Sequence, residues 1–98
     1  MMCKMIILKV NGEKEELDEV KVDLETVQKA VGGYIEAVPY FTEYEGEKCQ
    51  AWCDEGGKLK GYELNRDATL KWATQVEFPL RDVLVGDIVI LTGECMLD

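Results

Sequence analysis

The 98-residue chain predicts an α+β fold: a two-layer domain with a mostly antiparallel sheet of four to five strands and two helices packed on one face. Three observations lead there. Short apolar runs rich in β-branched residues recur between turn-forming segments. Two stretches carry apolar residues at helical spacing, each preceded by a side chain suited to capping a helix. The order of these elements along the chain is β, short β, α, β, β, α, β.

Cys3 to Val10 is dense in Ile, Leu, Met and Val and ends at Asn11-Gly12, the dipeptide that best accepts positive φ in a tight hairpin, so a strand and a reversal are expected. Glu13 to Glu19 is highly charged and reads as solvent-facing; Val20 and Val22 alternate with Lys21 and suit a short returning edge strand. Asp23 is a good N-cap. Leu24, Val27 and Val31 recur at helical spacing and Gly32-Gly33 offers a left-handed exit, which predicts a helix over 24–31. Tyr34 to Val38 alternates until Pro39 and forms the next strand.

Phe41 to Glu47 is polar and acidic and reads as a connection. Lys48 to Cys53 alternates again and stops at Asp54-Glu55-Gly56-Gly57, a strand followed by a hairpin turn. Asn65 caps a second helix, with Asp67 in its first turn and Ala68, Trp72 and Ala73 on one stripe, running to about Thr74. After the irregular 75–82, Gly86-Asp87 breaks an apolar run and leaves Ile88 to Thr92 as the last strand. No repeat, low-complexity tract or long linker divides the chain, so residues 1–98 read as a single domain.

Composition narrows the functions. Eleven Lys and Arg stand against 20 Asp and Glu, a net charge of −9, and this opposes direct binding to nucleic acid or to an anionic membrane face. The longest apolar run, Met5 to Leu8, is far too short to cross a membrane, and Lys4 and Lys9 bracket it too closely for a signal peptide, so a cytoplasmic protein is expected. In that compartment the four cysteines are expected to stay reduced, with no structural disulfide.

There is no His, so the usual base for activating a nucleophile is missing, and the expectation is a non-enzymatic protein with no catalytic residues and no cofactor. Cys49 and Cys53 invite a metal reading, but on a strand two residues four apart stand roughly 13 Å from each other. No metal site is expected; the thiols read as small buried hydrophobes.

Two motifs bear on binding. Val31-Gly32-Gly33-Tyr34 closes a helix and enters a strand, the reverse of a phosphate loop; it reads as a helix cap, or as a corner where missing side chains let Tyr34 and Glu36 line a groove. Lys58, Lys60 and Arg66 form a local basic group beside Asn65 at the start of the second helix, a place suited to a small anionic ligand. The candidate ligand-binding residues are therefore Gly32, Gly33, Tyr34, Glu36, Lys58, Lys60, Asn65 and Arg66.

Read in order, Val31 to Glu36, Asp54 to Gly61, Asn65 to Ala68 and Gly86-Asp87-Ile88-Val89 form a pattern over roughly residues 23–92. It resembles a family of small domains of unknown function widespread in phages, plasmids and other mobile elements. The resemblance implies a phage, plasmid or bacterial host carrying mobile DNA, and it carries over no catalytic residues. The expectation is a binding module that captures a host protein or a nucleotide-like ligand through the groove between the Gly32-Gly33 corner and the Lys58 to Arg66 segment. The alternative is an acidic decoy that imitates DNA before a host nucleic-acid enzyme, although lysines interleaved with the acids, as in Glu13-Lys14-Glu15, are ordinary for solubility. A homodimer through a sheet edge is left open by the sequence.

Overall fold

The computed structural model describes residues 3–19, 21–77 and 81–98. The sheet is built outward from two apolar strands, β1 (Cys3–Leu8) and, last in the chain, β6 (Ile88–Thr92), paired antiparallel with Met5 opposite Leu91 and Leu8 opposite Ile88. A hairpin at Asn11-Gly12 returns β2 (Lys14–Glu19) along β1, with Gly12 at the positive φ of 88° that such a reversal favours. On the far side of β6 lies β5 (Glu47–Asp54), and beyond it β3 (Ile35–Ala37) forms the edge, giving the order β2-β1-β6-β5-β3. The two-residue β4 (Glu43–Tyr44) turns directly onto β5 and is the strand by which the sheet exceeds the expected four to five. All strand pairings are antiparallel.

Both helices fall where their caps place them. In α1 (Leu24–Val31) the Asp23 carboxylate accepts from the Thr26 amide, and Gly32 ends the helix at φ 99°. In α2 (Arg66–Ala73) the Asn65 side chain accepts from the Ala68 amide. Their faces differ from the expectation. Cys3, Met5 and Ile7 of β1 join Val89 and Leu91 of β6 in a core with Val27 and Val31 of α1. The alternate residues, Ile6, Leu8, Ile88 and Ile90, join a second core with Ala68 and Trp72 of α2, Phe41 and Leu84. Side chains alternate across a strand, so α1 and α2 cover opposite faces and the sheet is the middle of three layers. Unbroken apolar runs in β1 and β6 are what strands buried on both faces require.

Three further expectations change. The returning strand is the charged Lys14–Glu19 stretch, not Val20 to Val22: Val20 lies outside the described residues, and Val22 is buried ahead of α1. As an edge strand, β2 tolerates its charges by pairing them, Lys4 with Glu16 at 2.9 Å and Lys9 with Glu15 at 3.8 Å. The turn after β5 does not open a hairpin: 55–61 coils into a compact loop, with the Lys60 amide donating to Gly56 O and the Tyr62 amide to Gly57 O, and among the described residues only Leu64 bridges onward, to Val85.

The third change concerns the thiols. Cys3 and Cys95 are joined in a disulfide, where reduced cysteines were expected. Antiparallel β1 and β6 bring the chain ends together, and a single 3-10 turn, Gly93–Cys95, sets the two Cα atoms 5.6 Å apart, within bonding range. The bridge is buried in the α1-side core. Cys49 and Cys53 are free and face the α2 side.

Candidate functional site

The corner where α1 ends and β3 begins meets the loop that follows β5, and the meeting is organised by one carboxylate. Asp54, only 6% exposed at the end of β5, accepts from the Lys60 ammonium at 2.7 Å, the Gly56 amide at 2.8 Å and the Tyr62 hydroxyl at 3.0 Å. Burial pushes its carboxyl up, but these three donors outweigh burial and hold it below its ordinary range. Asp54 in turn holds the Lys60 ammonium above its ordinary value. Lys60 also reaches the Gly32 carbonyl, at 3.3 Å, and so ties the loop to the helix end.

The glycines are explained by what surrounds them. A Cβ on Gly33 would stand 2.6 Å from the Lys60 nitrogen and 2.9 Å from an Asp54 oxygen, and one on Gly32 would stand 2.7 Å from the Tyr62 hydroxyl. On Gly86 it would stand 2.6 Å from the Tyr62 ring. Bare backbone is thus what lets Tyr62 and Lys60 close on Asp54.

Against this packed cluster lies a groove of about 510 Å³ lined by Asp54 itself and by Gln28, Gly33, Tyr34, Glu55, Gly56 and Lys60, with Tyr34 74% exposed. Of the sequence-predicted residues, Gly33, Tyr34 and Lys60 line this groove, and Gly32 does not; it faces Tyr62 and Asp54. Glu36 and Lys58 line a separate cavity of about 130 Å³ with Cys53, Trp72 and Asp82. There Lys58 is hydrogen-bonded to Asp82 and holds that carboxyl below its ordinary range.

Asn65 and Arg66 line neither space. Asn65 is fully buried; its amide donates to the Leu8 and Gly86 carbonyls at 2.8 and 2.9 Å, and it welds the end of β1 to the approach of β6. Arg66 is exposed on the first turn of α2.

The segments that carry the sequence resemblance therefore meet in space: 31–36 touches 54–61 through Gly33, Lys60 and Asp54, and Asn65 reaches the 86–89 segment through Gly86 O. Residues 3–96 match a family described as a domain of unknown function, DUF3846. The chain belongs to that family. No curated protein and no solved structure matches it.

In this DUF3846 domain the lysines of the corner are already paired. Lys60 and Lys58, expected as anchors for an anion, each already hold a carboxylate. The Cys53 thiol is pushed up to about 11 by burial and by Glu36 and Asp54, so it stays protonated near neutrality. Among the described residues no three Cys, Asp or Glu side chains converge on a point that would hold a metal ion, and no helix is long and apolar enough to cross a membrane. Asp54 and Tyr62 were missed as the centre of the corner. Asp54 closes an alternating strand and reads as a turn residue, and nothing local to Tyr62 marks Gly32, Gly57 and Gly86, the three glycines packed against it.

Proposed function

We propose that this domain is a non-catalytic binding module that captures another protein at the corner between α1, β3 and the 55–61 loop. The observation that carries the reading is Tyr34, an aromatic side chain left largely in solvent along a groove whose walls are fixed by the Asp54 cluster. Aromatic side chains held on rigid elements make strong anchors at interfaces, because little freedom is lost when they are covered. A nucleotide-like ligand has less in its favour. A phosphate at Lys60 would compete with Asp54, and Glu55 on the groove wall would repel it.

The setting we infer is a phage, a plasmid-bearing cell or a bacterium with mobile DNA, as the resemblance implies. The acidic decoy ranks second. Glu15 and Glu16 of β2 pair with Lys9 and Lys4, and Lys14 pairs with Glu45 at 2.9 Å, which dilutes the dense row of charge that a duplex presents.

The reading is tested by selecting peptides from a random display library on the purified domain and measuring their affinity for the Tyr34→Ala variant. If Tyr34 is an anchor, its truncation weakens the selected peptides by roughly thirtyfold or more. Failure to enrich any sequence, or enriched peptides that bind Tyr34→Ala equally well, would remove the reading. A panel of nucleotides should leave the melting temperature unchanged at millimolar concentration; an upward shift would restore the small-ligand alternative.

A further inference from the structure

Resting on the protein-capture reading, we infer that the outer edge of β3 receives an extended peptide bearing Lys or Arg as an added strand of the sheet. The register defines that edge. The Val38 amide donates to Ala51 O and the Glu55 amide donates to Tyr34 O, so residues 34, 36 and 38 turn their backbone groups toward β5. By the alternation of an antiparallel ladder, the N–H and C=O of Ile35 and Ala37 point the other way, and among the described residues no strand pairs with them. Glu36 and Ala37 are exposed. An open strand edge of this kind is a template for main-chain pairing with a partner.

The two edges of the sheet are not alike. β2 is laced with charge on both sides and engages Lys4, Lys9 and Lys14 in ion pairs, a surface that discourages another strand. β3 contains no lysine, and its one charge is Glu36. Neither Glu36 nor Glu55, which adjoins the head of β3 through its bond to Tyr34 O, forms an ion pair among the described residues. Glu36 on the open strand itself, with Glu55 on the β5 side of its head, gives this end of the sheet a negative character that complements a basic strand. Tyr34 and Tyr40, 74% and 62% exposed, bracket β3 and offer apolar surface to the peptide's flanks. A second copy of this chain is a poorer occupant, because pairing β3 with β3 would bring two Glu36 side chains and two chains of net charge −9 together.

The test is fluorescence anisotropy with a labelled hexapeptide alternating Lys and Val, added to the intact protein. Saturable binding is expected, with half-saturation below about 1 mM and weakening with salt. The same peptide with Glu in place of Lys should not bind. N-methylation of alternate amides should abolish binding when the methyls fall on one set of residues and spare it on the other, since only one edge of the peptide faces β3.

Ala37→Pro removes an outward N–H and no bond to β5, so it should fold and fail to bind. Should that variant not fold, the N-methyl series decides the matter without altering the protein. Glu36→Lys combined with Glu55→Lys should lower affinity on the order of threefold to tenfold. Equal binding of the basic and acidic peptides, insensitivity to both N-methyl patterns, or a homodimer that dissociates on Ala37→Pro would each overturn the inference. If display-selected peptides bind through Tyr34 while the basic strand does not, this inference fails and the broader reading stands; if neither binds, both fail.

Discussion

Replacing Asp54 by Asn tests whether one carboxylate holds the corner together. The substitution keeps the shape of the side chain, removes its charge, and turns an amide donor toward groups that are themselves donors: the Lys60 ammonium, the Tyr62 hydroxyl and the Gly56 amide. A hydrogen bond to a charged group contributes about 1.5–3 kcal/mol. The three do not add in full, because the Asn oxygen retains one acceptor and Lys60, 44% exposed along its side chain, recovers hydration. The expected loss is about 2–3 kcal/mol, equivalent to a melting temperature lower by about 10–20 °C in a domain of this size. The pH dependence gives an independent check. The folded carboxyl titrates below its ordinary value of 3.8, so its contribution is complete above that value and is lost as pH falls through the lower folded pKa. In urea denaturation, the gap between wild type and Asp54→Asn should therefore be full at pH 7 and should close well below pH 3.8. A gap under about 0.5 kcal/mol at pH 7, the scale of an ordinary surface change, would refute the reasoning. So would a gap of undiminished size in strong acid.

The buried bridge between Cys3 and Cys95 closes a chain segment of 92 residues, and its removal should cost about 2–4 kcal/mol. The Cys3→Ala/Cys95→Ala pair should accordingly show a lower urea midpoint than the oxidised protein, and an unchanged midpoint would mean the bridge adds nothing. Cys53, held up at about 11, should alkylate slowly with iodoacetamide at neutral pH and accelerate up to that value; a rate that levels off below pH 9 would contradict the burial assigned to it.

What the sequence made legible was local. Asp23 and Asn65 announced both helices because capping is a matter between neighbours: a side-chain oxygen meets an amide three residues on. The Asn11-Gly12 reversal and the break at Gly86 are likewise set by backbone torsions that glycine adopts at little cost. The layer count was less visible. An apolar run such as Ile6-Ile7-Leu8 fits a strand covered on one face or on both, and only the tertiary partners of Ile7 and Leu8 separate the cases. The strand Lys14–Glu19 was missed because its stability comes from β1 and from lysine partners, and no apolar alternation marks it. The disulfide was expected absent on compartment alone, a criterion that carries no geometry.

The candidate site divides along the same line. Gly33, Tyr34 and Lys60 line one groove, and the lysines expected to anchor an anion are each paired with a carboxylate. A lysine in a sequence is a cation in search of an anion; in the fold, Asp54 and Asp82 have already met that need. The corner thus uses its lysines for its own rigidity and leaves to solvent the outward backbone groups of Ile35 and Ala37, the carboxylates of Glu36 and Glu55, and the ring of Tyr34. On the proposed reading, recognition there runs through main-chain hydrogen bonds and a small excess of negative charge. A compact anion finds little to hold in such a surface, whereas an extended basic chain can satisfy the backbone and the carboxylates together.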